Sequence, residues 1–205
     1  MLNRLLNAAL NWYVRRKVRA YHHYPADKTA VIFIDVQHAF VVKEHSLSRS
    51  LTDLAQLAHS RGFLVIHAPI TVNADVPFKT PAHRQIEQAL AAHASAGDIA
   101  SAVEPSEGDI VLPPRRTLSI FGEPEVDALI AVRGLEHLIL AGPLGDLTLD
   151  SSLRDAAQRD LHITMISDCM AASTPSALEL EVRYTMPRYA HLITDLKDLR
   201  RRTGG

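Results

Sequence analysis

From Lys28 onward, the chain alternates short apolar runs with amphipathic segments, and this alternation is the feature that most limits its possible folds. The apolar runs are rich in Val, Ile and Leu and contain few polar residues, which is typical of strands buried on both faces. The segments between them carry apolar residues at helical spacing. The pattern therefore predicts a parallel sheet with helices on both faces, and strands at 30–35, 63–68, 109–112, 137–142, 162–168 and 190–195.

Length and composition narrow the class of protein. A chain of 205 residues is long enough for one α/β domain with a sizeable core. The formal net charge of -1 gives no overall field that favours nucleic acid or a membrane surface, so neither is an expected partner. The single cysteine, Cys169, excludes a disulfide within the chain and fits a reducing cytoplasm, which is the expected location.

Residues 1–26 are predicted to form an N-terminal amphipathic helix that precedes a domain of residues 27–205. Arg15, Arg16, Lys17 and Arg19 lie towards the end of this segment, where cations suit the helix dipole. We expect the helix to pack on the domain or on a second subunit. A membrane-surface helix and an organelle-targeting segment are the alternatives. The apolar residues that share one helical face are Leu2, Leu5, Leu6, Ala9, Leu10, Tyr13 and Val14.

Ligands of open parallel sheets bind beyond the carboxyl ends of the strands. In this sequence that rule selects Asp35 after the first strand and His67 at the end of the second. It also selects the loop 113–121 after the third strand and the turn 142–148 after the fourth. These four places are far apart in the sequence, but we expect them to meet at one edge of the sheet.

Several polar residues at these strand ends could carry chemistry. Asp35 ends a buried apolar run, where a carboxylate is costly unless it is paired, so it is either a functional group or a turn former. Arg115 and Arg116 lie in a loop that begins with two prolines. They are interpreted either as ligand-binding cations or as a solvated surface pair. Asp146 or Thr148 is expected to cap the following helix, whose free N–H groups could also bind an anion.

The cysteine and the histidines give weaker signals. Cys169 follows the fifth strand and is interpreted as a small buried residue rather than a nucleophile. The histidines show neither an H-x-H nor an H-E-x-x-H pattern, so no metal site is expected. His38 and His67 are expected to line the pocket. The tail 200–205 is expected to fray in solvent.

Four stretches in the same order carry a family resemblance: AVIFIDVQHAF, GDIVLPPRRTLSIFG, HLILAGPLGDLTLDSSLRDA and ITMISDCMAAS. Together they resemble the isochorismatase-like (cysteine hydrolase) superfamily from about residue 28 to 195. The resemblance implies a three-layer, Rossmann-like α/β sandwich with a parallel sheet of about six strands, here with an extra N-terminal helix. It also implies a small-molecule ligand, expected to be anionic, no metal or organic cofactor, and a homodimer or larger homo-oligomer.

The resemblance also assigns roles to individual residues. Asp35 matches the catalytic aspartate, Arg115 replaces the catalytic lysine (Arg116 does so if the match shifts by one residue), and Thr148 replaces the cysteine nucleophile. Pro143 begins a rewritten oxyanion-hole turn, in which the family often has a non-proline cis peptide equivalent to the bond after Pro143. The residues expected to bind substrate are His38, Phe40, His67, Phe121, Leu144 and Gly145.

These replacements alter the chemistry that the site can perform. A threonine hydroxyl is much harder to deprotonate than a thiol and needs a dedicated base. Arg115 beside Asp35 is expected to lower the pKa of that carboxyl by about 1–3 units and so to weaken it as a base. Arginine also cannot shuttle a proton.

Two functions remain open from the sequence. The first is a hydrolase-like protein without a cysteine nucleophile, acting on or binding a small carboxylate, amide or vinyl ether. Asp35 would then serve as acid or base, and Arg115 would hold a substrate carboxylate. The second is a catalytically inactive member that serves as a binding or assembly protein. An enzyme needs Asp35 free of a tight pair with Arg115 and an open pocket beside Thr148, whereas a binding protein needs neither.

Overall fold

Parallel strands form the centre of the computed structural model, which describes residues 24–41, 46–72, 75 and 79–204. The strands are β1 (Thr29–Ile34), β2 (Leu64–Ala68), β3 (Ile110–Val111), β4 (His137–Gly142), β5 (His162–Met170) and β6 (Leu192–Thr194). They pair in the order β3-β2-β1-β4-β5-β6, and every pair is parallel. The predicted parallel sheet is thereby confirmed, with strand ends that differ from the predicted ends by up to two residues.

The helices lie between and after the strands, and local sequence explains several of their ends. Proline occupies the first turn of α2 (Pro81–Leu90), α3 (Pro124–Arg133) and α5 (Pro175–Leu180), where its missing N–H costs nothing. Thr80 and Thr174 accept hydrogen bonds from the first turns of α2 and α5, and Gly134 ends α3 in the left-handed conformation. The helices are α1 (Ser46–Ser60), α2 (Pro81–Leu90), α3 (Pro124–Arg133), α4 (Asp150–Ala157), α5 (Pro175–Leu180) and α6 (Leu196–Arg202).

Two hydrophobic layers cover the two faces of the sheet. Val31 and Phe33 of β1 face the layer that contains Leu51 of α1 and Leu199 of α6. Their neighbours along β1, such as Ile32, face the opposite layer, which includes side chains of α3 and α4. Because helices cover both faces, all six residues of β1 are buried, which explains its unbroken apolar sequence. The three-layer sandwich is confirmed.

The C-terminal residues differ from the prediction. Residues 200–202 belong to α6 instead of fraying, because this helix is capped and internally paired. Asp195 accepts a hydrogen bond from the Asp198 backbone N–H, and Asp198 in turn accepts hydrogen bonds from Arg201 and Arg202. Leu199 fixes the helix to the core.

Residues 1–23 of the predicted N-terminal helix lie outside the described residues. The last three residues of the predicted helix belong to the domain instead. Tyr24 is buried in the core, and Ala26 begins a short 3₁₀ turn that leads into β1. No helix in the described part of the chain is long and apolar enough to cross a membrane.

Candidate active site

The candidate site lies where β1 and β4 run side by side. The chain continues from β1 to β2 on one side, whereas β5 lies on the other side of β4, so this is the switch point of the sheet. Gly142, the last residue of β4, makes the close approach possible, since a Cβ there would come 2.2 Å from the carbonyl oxygen of Ile34. The absence of a side chain at Gly142 therefore lets β1 lie close to the end of β4. This close approach places Asp35, the residue after Ile34, beside the turn that follows β4.

Asp35 and Arg115 form a buried, two-point ion pair. Arg115 Nη1 donates to Asp35 Oδ1 at 2.7 Å, and Nη2 donates to Oδ2 at 3.0 Å. The guanidinium also donates to the carbonyl oxygens of Ala68, at 2.7 Å, and Leu118, at 3.3 Å. Asp35 is 0% exposed and Arg115 is 5% exposed, whereas Arg116 is exposed. Arg115 rather than Arg116 therefore occupies the position beside the aspartate.

The backbone and the ionisation of Asp35 are both unusual. Its φ of 56° lies in the left-handed region, which costs free energy for a residue other than glycine and is often found at functional sites. Complete burial raises the pKa of the carboxyl, and the nearby Arg115 and the Thr148 hydroxyl oppose that rise. Arg115 thus acts on the Asp35 pKa in the expected downward direction, and the loss of hydration acts in the opposite direction.

Thr148 lies beside Asp35 in a π-helical turn, Gly145–Leu149, that precedes α4. Thr148 is 0% exposed, and within the described residues its Oγ1 makes no hydrogen bond of good geometry. Its carbonyl oxygen accepts a hydrogen bond from Ser152 Oγ at 2.6 Å, and the same Oγ accepts one from the Ile120 N–H. Ser152 thus connects this turn to the segment that follows Arg115, a role that the sequence did not indicate.

The turn after β4 differs from the predicted capping site. Neither Asp146 nor Thr148 caps the following helix. Asp146 instead accepts hydrogen bonds from the backbone N–H and the hydroxyl of Ser173, and the Gly145 N–H donates to the Ala171 carbonyl oxygen at 2.6 Å. No described peptide bond is cis, so the bond after Pro143 is trans. The turn therefore uses the Gly145 N–H, a potential oxyanion donor, to hold the loop after β5.

The other residues predicted to bind substrate do not form one pocket around Asp35. His38 is exposed and Phe40 is half-buried, in a turn whose backbone bonds to residues 96–98. Phe121 is buried in the core, with the Arg159 guanidinium 4.2 Å from its ring centroid. Leu144 is half-buried, and it adjoins the π-helical turn. The structure thus brings Asp35, Arg115 and Thr148 together, and the substrate-binding role of the other side chains stays a prediction.

The fold agrees with a family match. The isochorismatase domain matches residues 29–195, which is most of the chain. This chain belongs to the isochorismatase family. The match confirms the resemblance drawn from the four sequence motifs.

Curated relatives with matching stretches are amidohydrolases by name. A ureidoacrylate amidohydrolase RutB of Methylorubrum extorquens is 30% identical over 81 residues, which are 40% of this chain and 32% of the relative. A protein of the same name from Variovorax paradoxus is 24% identical over 101 residues, 49% of this chain and 40% of the relative. The matched stretches thus span less than half the length of these relatives.

Solved structures of the isochorismatase family share the fold. A cysteine hydrolase from Pseudomonas syringae pv. phaseolicola has a TM-score of 0.74 at 20% identity, covering 88% of this chain and 95% of that one. An N-carbamoylsarcosine amidase from Thermoplasma acidophilum has a TM-score of 0.64 at 18% identity, covering 83% and 97%. At these identities the likeness concerns the architecture.

Gln37 is a structural member of this isochorismatase-family site that the sequence analysis missed. Its buried amide donates to the carbonyl oxygens of Ile70, at 3.1 Å, and Gly97, at 2.7 Å, and accepts from the Ile70 N–H at 2.9 Å. The amide therefore joins the segments that follow β1 and β2 to residue 97. A polar amide two positions beyond Asp35, directly after a buried apolar strand, was the available signal.

The remaining candidate groups in the described part of the chain are the Cys169 thiol and the acidic and histidine side chains. Cys169 is buried, donates from Sγ to the Ser50 carbonyl oxygen, and has a pKa that burial raises, so it is not a reactive thiol. Among the described residues, no group of three or more histidine, cysteine, aspartate or glutamate side chains is arranged to hold a metal ion.

His67, which was expected to line the pocket, belongs to another cluster. Its Nε2 lies 3.3 Å from Asp109 Oδ2, and its ring stacks on Phe33 with centroids 5.6 Å apart. Asp109 also contacts His59, with Oδ1 2.8 Å from Nε2. The imidazole of His67 is therefore engaged towards β3 and α1 rather than with the Asp35–Arg115 pair.

We expect the folded protein to lose stability as the pH falls from about 7.5 to about 5.5. Burial lowers the pKa of His67, with Asp109 opposing, and burial also lowers the pKa of His191, which accepts a hydrogen bond from the Ile163 N–H. The unfolded chain then binds more protons, so this stability is present above the unfolded pKa of about 6.5 and is lost as the pH falls towards the folded values.

Urea unfolding at the two pH values measures this loss. The double variant His67→Gln/His191→Gln should have a free energy of unfolding that depends less on pH than that of the wild type. The exposed His38 provides the matched control, since His38→Gln should leave the dependence unchanged. An equal dependence in the wild type and the double variant would contradict the assignment.

Proposed function

We propose that this chain is an isochorismatase-family protein that does not perform cysteine-type hydrolysis and that serves as a binding or assembly protein. The observation that carries the proposal is the buried, two-point pair between Arg115 and Asp35. This pair turns the position of the family's acid–base residue into a structural connection between β1 and the loop after β3.

The ion pair removes Asp35 from the role of a base. Both carboxylate oxygens accept hydrogen bonds from Arg115, and these charge-assisted bonds favour the ionised carboxylate, so protonation by Thr148 would weaken the pair. Thr148 needs such a base, since its hydroxyl is not ionised near neutral pH as a thiol can be. The residues that would have to cooperate in an acyl transfer therefore compete with each other.

The same contacts remove Arg115 as a holder of a substrate carboxylate. Its two terminal nitrogens already donate to Asp35 and to the backbone oxygens of Ala68 and Leu118. The Nε–H makes no hydrogen bond within the described residues, but two-point binding of a ligand carboxylate also needs a terminal nitrogen, so it would have to displace Asp35 and leave that buried charge without compensation. The expected anionic ligand at Arg115 is thus disfavoured, and a binding function would use another surface of the domain.

A second candidate function is hydrolysis of an amide or a vinyl ether without a cysteine. Two observations favour it: burial raises the pKa of Asp35, and its backbone keeps the costly left-handed conformation. In this reaction water is the nucleophile and Asp35 transfers the proton. It requires water and substrate to reach the Asp35 carboxyl, which is 0% exposed.

Hydrolysis assays on the full chain separate the two functions. The substrates are ureidoacrylate, small primary amides and a vinyl-ether carboxylate, with an active ureidoacrylate amidohydrolase as the positive control. We expect no product above the uncatalysed rate from the wild type or from Asp35→Asn. Turnover by the wild type that is lost in Asp35→Asn and kept in Asp160→Asn, the same change at an exposed residue before β5, would overturn the proposal and establish the second function.

A further inference from the structure

A groove with a volume of about 490 Å³ lies at the edge of the sheet opposite Asp35. It is lined by residues that precede or begin the strands, including Asp27 before β1, Leu64 of β2, Asp109 before β3 and Leu135 before β4. Because the strands are parallel, these residues lie at the amino-terminal edge and Asp35 lies at the carboxyl-terminal edge. The groove is therefore separate from the candidate active site.

The groove combines an apolar floor with an acidic rim. Phe63 and Val65 are buried side chains that form part of its wall. Asp27 and Glu107 are exposed carboxylates on its rim, and neither takes part in an ion pair within the described ranges. Arg133 is the single lysine or arginine among the described lining residues. Such a surface favours an occupant that is cationic and amphipathic.

The described chain begins next to this groove. The Tyr24 hydroxyl lies 2.8 Å from Thr164 Oγ1, and the Tyr24 ring centroid lies 6.5 Å from that of Phe63, a groove residue. Ala26, two positions later, is itself part of the lining. Residues 1–23 are thus joined to the domain at the border of the groove, so their local concentration there is high.

The sequence of residues 1–23 has the matching chemistry. It contains no aspartate or glutamate, and its cations Arg15, Arg16, Lys17 and Arg19 are close to the junction at Tyr24. Its leucines recur at helical spacing, which gives an apolar face for the groove floor. The segment therefore offers positive charge for the acidic rim and apolar side chains for the floor.

We propose that the groove at the amino-terminal edge of the sheet is the docking site for residues 1–23 of the same chain. The cations near Arg15–Arg19 face the carboxylates of Asp27 and Glu107, and the apolar face of the segment contacts the groove floor. The occupant is a part of this chain because the connection is short and the charges are complementary.

Native-state proteolysis of the full chain with trypsin tests the docking, since the cleavage sites are the cations themselves. In the wild type we expect slow cleavage after residues 15–19, at a rate that does not depend on protein concentration. The double variant Asp27→Asn/Glu107→Gln, which adds no trypsin site, should be cleaved after residues 15–19 about tenfold faster, which corresponds to about 1.4 kcal/mol. Thermal unfolding of each variant, monitored by circular dichroism, shows whether the domain is intact.

A matched control variant and three possible results of the proteolysis decide whether residues 1–23 dock in the groove. Asp98→Asn/Glu104→Gln makes the same charge change at exposed residues that do not line the groove, and it should behave as the wild type. Equal cleavage rates in the wild type and the groove variant would overturn the proposal, as would equal acceleration in the control. Protection that grows with protein concentration would overturn it by assigning the groove to a second copy, and protection seen only with vesicles of anionic lipid would overturn it by assigning the segment to a membrane surface.

Discussion

Arg115→Met is expected to reduce the free energy of unfolding by about 3–5 kcal/mol, because it leaves the Asp35 carboxylate buried without its partner. The remaining neighbours cannot replace the guanidinium, since the carboxylate loses both of the hydrogen bonds that Arg115 donates to it. Urea unfolding followed by circular dichroism measures the loss. Arg116→Met changes the exposed neighbour and should alter stability by less than about 0.5 kcal/mol.

A double-mutant cycle shows whether the effect belongs to the pair. Asp35→Asn in the Arg115→Met background removes the uncompensated charge, so the double variant should be more stable than Arg115→Met alone. If Arg115→Met costs less than about 1 kcal/mol, water or another group reaches the carboxylate and the pair is not the proposed structural connection.

Gly142→Ala is expected to reduce the free energy of unfolding by about 4 kcal/mol or more, or to prevent folding. The added Cβ would lie 2.2 Å from the Ile34 carbonyl oxygen, and this neighbour is backbone in the centre of the sheet. Neither β1 nor β4 can move away without disturbing packing on both faces, because every residue of both strands is buried. Urea unfolding again provides the measurement.

Gly97→Ala is the matched control for this substitution. Nothing lies within 4 Å of the Cβ that it would add, so we expect no loss of stability. Similar free energies of unfolding for Gly142→Ala and the wild type would show that the spacing of β1 and β4 adjusts easily. The position of Asp35 beside the π-helical turn would then not depend on the glycine.

Both substitutions probe the same feature of the molecule. Arg115 and Gly142 hold the carboxyl ends of β1 and β4 in a closed arrangement around Asp35 and Thr148. In a hydrolase this place would have to admit water and substrate, whereas here Asp35 and Thr148 are each 0% exposed. The proposed function rests on this closure together with the threonine at position 148, which the family resemblance matches to the nucleophile.

Much of the fold could be predicted from the sequence, because a strand that is buried on both faces has an unbroken run of apolar residues. The run HLILAG was predicted as a strand at 137–142, and β4 has the same bounds. The C-terminal helix was missed because its stability comes from Asp195, Asp198 and the burial of Leu199 rather than from a long apolar period. Three consecutive arginines at 200–202 indicate a solvated tail as long as their carboxylate partners are unknown.

The candidate site could be predicted only in part. The location of Asp35 at the end of a predicted strand identified it as a candidate site residue. The family resemblance then assigned Arg115 and Thr148 to the same site. The substrate-binding assignment of His67 depended on the direction of one side chain, and that direction is set by Asp109 and Phe33. Side-chain direction at a strand end follows from contacts with distant residues, which a strand pattern does not contain.

The sequence by itself determined the class of fold, the places where the strands end and the presence of threonine rather than cysteine at position 148. Only the tertiary structure decided that Arg115 rather than Arg116 meets Asp35, that both oxygens of the carboxylate are engaged, and that burial outweighs the ion pair in setting its pKa. The physical reason is that the burial of strand and helix residues appears as a local pattern of apolar residues in the sequence. The balance of charge and hydration at a site depends on groups that are 80 residues apart in sequence and in contact in space.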